Sequence, residues 1–139
     1  MSTRLEEKKE KILKIIEKLA EESSKGIPII VEGEKDTRAL RILEIKGEII
    51  EAKTAGKSIM NVLSEVQRST PAEVILLLDF DRRGKQLSKR LRRHLEAMRI
   101  RSNVFFWERL QAIVGRELKD IEGLASYMET LKSKIGHSA

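Results

Sequence analysis

Two short apolar runs that each stop on acid constrain this chain more than any other feature. The first, Ile27-Pro28-Ile29-Ile30-Val31, ends on Glu32-Gly33. The second, Val74-Ile75-Leu76-Leu77-Leu78, ends on Asp79-Phe80-Asp81-Arg82-Arg83-Gly84. Five consecutive apolar residues after Thr70-Pro71 are too few for a free-standing helix. They read as a strand buried on both faces, the pattern of a parallel sheet covered by helices. Asp79 and Asp81 stand two apart, so an extended backbone points both carboxylates the same way, and like charges that close are tolerable mainly around a cation. Gly84 reads as the point where the chain turns into the basic, leucine-spaced helix that follows.

The remaining segments fit around these two strands. Ser2 or Thr3 can cap an amphipathic helix running to about residue 23, with Leu5, Ile12, Ile16 and Leu19 on one stripe that lies on the core or on a second subunit. After the first strand (27–32), a short helix is expected over 35–45, with Ala39, Leu40 and Leu43 inward, and a second strand over 48–52. A helix carrying Ile59, Val62, Leu63 and Val66 leads to the third strand (73–79). The basic helix then places Leu87, Leu91, Leu95 and Met98 on one side, a fourth strand is expected over 103–107, and helices over 110–114 and 118–131 close the domain. Trp107, Phe105 and Phe106 read as core. The division is an N-terminal helix (1–25), one α/β domain (26–134) and a frayed tail (135–139).

Strands separated by helical crossovers imply a three-layer α/β/α fold with a parallel four-stranded sheet, whose function gathers at the carboxyl ends of the strands near a switch point. Glu32 and Asp79 meet only if the first and third strands are neighbours. That gives the order 2-1-3-4.

Composition narrows the chemistry. With no cysteine and only His94 and His137, a metal here is held by oxygen, which selects Mg²⁺ or Mn²⁺. No apolar run approaches the roughly 20 residues of a membrane span, and the N-terminus is charged throughout, so the expectation is a cytoplasmic protein without a membrane partner. The net charge is +6. Between Arg82 and Arg101, nine basic residues stand against one acid, Glu96, so this stretch carries +8 and the rest of the chain −2. Lys85, Lys89, Arg92 and Arg93 project from the side opposite the leucines, a surface suited to phosphates, with Arg82 and Arg83 beside the acids. The triplet Gly56-Lys57-Ser58 lacks the glycine that a P-loop requires five residues earlier, where Glu51 stands. A weaker anion role remains for Thr54, Lys57 and Ser58 at a helix start.

Taken together, Glu32-Gly33-Glu34-Lys35-Asp36 and Asp79-Phe80-Asp81-Arg82-Arg83-Gly84 resemble the Toprim domain of topoisomerases, bacterial-type primases, recombination-repair proteins and certain nucleases. The resemblance spans roughly residues 27–107. It implies a Rossmann-like sheet, Glu32 as a general acid-base group or metal ligand, and Asp79 and Asp81 as Mg²⁺ ligands, with Gly33, Asp36 and Gly84 in support. Asp36 is equally explained as a helix cap. Where type IA topoisomerases commonly carry a glutamate two residues after the second aspartate, this chain has Arg83. A primase needs a zinc module that this length does not accommodate. The small primase-like and ribosomal-RNA-maturation-nuclease-like branches are the nearest in kind. The partner that the resemblance implies is RNA or DNA; separately, the apolar stripe of the N-terminal helix offers a surface for a second copy or another protein. Two functions are expected from this: a Mg²⁺-dependent nuclease, or a non-catalytic nucleic-acid-binding module acting with a partner.

Overall fold

The computed structural model describes residues 3–53 and 56–137. Its elements are α1 (Arg4–Ser24), β1 (Ile29–Val31), α2 (Glu34–Ile42), β2 (Ile49–Glu51), α3 (Ile59–Arg68), β3 (Glu73–Leu76), α4 (Arg82–Ala97), β4 (Arg101–Asn103), α5 (Phe105–Val114) and α6 (Leu124–His137). The four strands are parallel in the order β2-β1-β3-β4. The predicted α/β class, sheet order and neighbouring first and third strands are all present.

The apolar run at β3 shows why. Ile75 and Leu77 pack into one buried cluster with Ile29 and Val31, beneath α1, α5 and α6. Val74, Leu76 and Leu78 alternate with them into a second cluster with Ile30, Ile50 and the inner faces of α3 and α4. A period of two feeding two cores is what a strand buried on both faces requires. The ladder continues one residue past β3, since the Leu77 N–H donates to the Ile30 carbonyl at 2.9 Å.

α1 begins with a reciprocal cap: the Glu6 N–H donates to Thr3 Oγ1 at 3.1 Å and the Thr3 N–H to Glu6 Oε2 at 3.2 Å. Ser2 lies outside the described residues. The α1 stripe Ile12, Ile16 and Leu19 is buried within the chain's own core, against α5 and α6. The helix is therefore a layer of the domain, and that stripe is not left over for a partner.

Four expectations need correction. The stretch 103–107 is not a strand: β4 stops at Asn103, whose Oδ1 accepts the Phe105 N–H at 2.8 Å as α5 begins. The apolar period from Phe106 through Leu110 to Val114 is helical, and these three residues are buried. The last helix starts at Leu124 rather than 118, because the preceding segment is drawn onto the sheet end. The tail expected over 135–139 is helical as far as His137, and residues 138–139 lie outside the described residues. Finally, α4 starts before Gly84, which sits in its first turn. Among the described residues no helix is long and apolar enough to cross a membrane.

Candidate metal centre and its basic flank

Glu32 follows β1 directly, and Asp79 and Asp81 follow β3 on the adjacent strand, so all three acids emerge at the same end of the sheet. Each offers one carboxylate oxygen, and these oxygens lie within 4.8 Å of one another, a group that can hold a metal ion. The Glu32 side chain is only 12% exposed. Its Oε1 accepts a long hydrogen bond from the Asp79 N–H at 3.4 Å, and its Oε2 faces Lys53 Nζ at 3.4 Å. Asp81 is the N-cap of α4, with Oδ1 accepting the Gly84 N–H at 2.8 Å.

Asp79 is the exception within the group. Its Oδ1 is buried and has no hydrogen-bond partner among the described residues. Burial pushes its carboxyl up to about 8, reinforced by Glu32 and then by the charges of Asp36 and Asp120. A carboxylate in this setting holds a proton near neutral pH unless a cation takes the proton's place. The donor set is all oxygen, so the residues present fit a hard divalent ion.

Gly84 fixes the geometry by close approach. A Cβ there would sit 2.1 Å from the Asp79 carbonyl oxygen and 3.0 Å from its Cα, so the first turn of α4 rests on the Asp79 backbone in a way no other residue allows. Gly33 behaves differently. Its backbone is extended and a Cβ would meet nothing within 4 Å, so neither conformation nor space demands glycine there.

Asp36 belongs to the frame rather than to the ligand set. It is 5% exposed. Its Oδ2 accepts the Gly33 N–H at 2.9 Å and its Oδ1 the Glu122 N–H at 2.8 Å. Burial raises its carboxyl while those two bonds oppose the rise. The segment between α5 and α6 is thereby pinned to the start of α2. The same segment holds the Asp79-Phe80-Asp81 turn, since the Phe80 N–H donates to the Lys119 carbonyl at 2.7 Å.

The basic residues divide into two sets. Arg82, Arg83, Lys85, Lys89, Arg92 and Arg93 are all exposed on α4, and none of the ion pairs found among the described residues involves them. Lys57 is only 14% exposed; its Nζ binds Glu65 Oε1 at 2.5 Å and the Glu51 carbonyl at 2.6 Å, so its charge is answered within the fold. Ser58 caps α3 and donates its own N–H to Asn61 Oδ1 at 2.9 Å. The helix start expected to bind an anion is thus occupied by its own capping box, and Thr54 lies outside the described residues.

Sequence reasoning missed three residues at the site. Lys53 follows β2, and its position just past a strand end in this fold was the available signal. Asp120 lies in a segment read as helix; its Oδ1 accepts the Gly123 N–H at 3.0 Å while its charge reaches Asp79 and Asp36. Trp107, read as core, is only partly buried and donates its indole N–H to the Leu78 carbonyl at 2.8 Å.

No protein-family model matches the sequence. A solved structure of a protein from Aquifex aeolicus is similar in fold, with a TM-score of 0.66 and 25% identity over 78% of this chain and 94% of that one. Among curated proteins, the chain is 34% identical over 129 residues to a UPF0292 protein of Methanosarcina acetivorans, covering 93% of this chain and 88% of that one. It is 38% identical over 120 residues to a UPF0292 protein of Methanocaldococcus jannaschii, covering 86% and 91% respectively. A UPF0292 protein of Pyrococcus furiosus is 36% identical over 126 residues, 91% of this chain and 90% of the other. Identity at this level along nearly the whole length of each chain places the protein in a family whose name states no activity: it belongs to the UPF0292 proteins.

Proposed function

We propose that this protein is a Toprim-type, Mg²⁺-dependent nuclease of the cytoplasm that cleaves phosphodiester bonds in RNA or DNA. The observation that carries the reading is the buried, unpartnered Oδ1 of Asp79 within reach of two further carboxylates. A fold leaves a buried polar atom without a partner at a cost, and such an atom calls for a ligand. Glu32, Asp79 and Asp81 would hold Mg²⁺ or Mn²⁺, which when bound supplies charge neutralisation and a water of lowered pKa. Glu32 carries the proton transfer from a largely buried position. Asp81 keeps its place through the α4 cap, and Gly84 sets the height of Asp79 above the helix. Arg82, Arg83 and the outer face of α4 bind the phosphate backbone next to the acids, where opposite charges let a polyanion approach.

The test is cleavage of a mixed RNA and DNA panel in Mg²⁺ or Mn²⁺ by scrupulously nuclease-free protein, with Glu32→Gln beside wild type. General acid-base assistance is typically worth about 10²–10⁴-fold, so the variant should lose activity by that order while still binding substrate. A wild-type protein that binds tightly yet cuts nothing would instead be a non-catalytic binding module.

A further inference from the structure

On α4, Lys85, Ser88, Lys89 and Arg92 recur at spacings of three and four and so share one side of the helix. Across a groove of about 230 Å³ they face Val104, Trp107 and Glu108, where β4 gives way to α5. In this lining three cations stand against one acid, and the aromatic surface is that of tryptophan. Its orientation is fixed from within: the indole N–H is committed to the Leu78 carbonyl, and the ring leans on Phe80 with centroids 5.7 Å apart. Leu78 and Phe80 flank Asp79, so the groove and the carboxylate centre are built on one turn of chain. Lys85 lies four residues past Asp81, about 6 Å along the helix, and Arg92 about 16 Å along it.

A fixed tryptophan beside a row of cations matches one kind of occupant. Every nucleobase presents a π-face for stacking, whatever its hydrogen-bonding edge, and the phosphates on either side are anionic. In a duplex those faces are hidden in the base stack, and only the backbone is on offer. We infer that this groove seats an unpaired base of single-stranded RNA or DNA against Trp107, with Lys85, Lys89 and Arg92 holding the flanking phosphates. The inference rests on the nucleic-acid reading of the site and narrows its substrate to single strands or unpaired ends.

Trp107 is the chain's single tryptophan, so its fluorescence reports on this groove alone. Wild-type protein is titrated with Ca²⁺ replacing Mg²⁺, to separate binding from cleavage, using short oligo-rU, oligo-dT, a blunt duplex, inorganic polyphosphate and polyglutamate. Both single strands should quench Trp107. Polyphosphate should displace them without quenching, while the duplex and polyglutamate leave the emission unchanged. Ser88→Glu puts an acid into the groove and should abolish the quench. The lost stack should weaken single-strand binding roughly 5- to 150-fold, with the melting temperature unchanged. Fluorescence anisotropy of a labelled strand separates the failures. Salt-dependent binding without any quench overturns the groove and leaves the nucleic-acid reading standing, whereas no binding overturns both. Quenching by the duplex or by polyglutamate overturns the single-stranded occupant.

Discussion

Asp36 and Asp79 are two poorly exposed acids at the same end of one sheet, and the fold treats them in opposite ways. Asp36 is enclosed at 5% exposure, yet each of its oxygens accepts a backbone N–H, one from Gly33 and one from Glu122. Asp79 has an oxygen that is equally hidden and accepts nothing from the described residues. Burial alone does not separate a structural acid from a chemical one; the hydrogen-bond account does. In Asp36 the carboxylate joins α2 to the segment before α6. In Asp79 the carboxylate is held in reserve, and Glu32 and Asp81 stand close enough to share whatever it takes up.

The comparison is broken most severely at Asp36. Asp36→Ala leaves two amides without their acceptor, a loss of about 2–4 kcal/mol, read as a fall in melting temperature of roughly 10 °C. Asp36→Asn should recover part of this loss, since one oxygen remains to accept. A small effect of Asp36→Ala would remove the structural role assigned here.

Next in size is Gly84→Ala. Its new Cβ would press on the Asp79 backbone, and overpacking of this kind typically costs about 1–3 kcal/mol. The sharper reading is calorimetry with Mn²⁺, because displacing Asp79 should weaken metal binding beyond what the stability loss explains. Metal affinity at the wild-type level in a folded Gly84→Ala protein would show that the close approach is packing alone.

Asp79 itself should respond with the opposite sign. Its carboxyl is raised to about 8 in the folded chain, so its contribution to stability is fully present below the ordinary aspartate value of about 3.9. That contribution is lost as pH rises toward 8, because the unfolded chain releases its proton first; above about 8 both states are ionised and the loss stops growing. Melting measured in EDTA across this window should fall with pH in wild type and fall less in Asp79→Asn, which should be the more stable protein at neutral pH. Mg²⁺ should restore wild type and leave the variant unmoved. Parallel pH profiles for the two proteins would end the distinction between Asp79 and Asp36.

The smallest effect is expected at Lys53, which is 47% exposed and 3.4 Å from Glu32. Lys53→Met should change stability by no more than about 0.5 kcal/mol. By removing a cation beside the carboxylates, it should tighten Mn²⁺ binding in the same calorimetric titration. Weaker binding would mean that Lys53 orients Glu32 rather than competing with the metal.

Much of this was legible in the order of residues. Five apolar residues ending on Asp-x-Asp require a strand covered on both sides, because alternate side chains must find two separate cores, and the acids then fall where the strand leaves the sheet. Glu32-Gly33 after a second such run fixed which strands had to be neighbours. Other features depended on contacts between residues far apart in the chain. Glu122 donates to Asp36 across 86 positions and Trp107 to Leu78 across 29. Phe105-Phe106-Trp107 has the β-propensity of a strand and is drawn into α5 by the turn in which Asn103 Oδ1 accepts the Phe105 N–H and by a helical apolar period that continues to Val114. Gly84 read as a turn and acts through an approach to Asp79 five residues back, which only folded distances reveal. Periodicity and strand-end chemistry are local and can be read along the chain. Whether a buried oxygen finds a donor depends on which distant segment arrives beside it, and only the tertiary structure decides that.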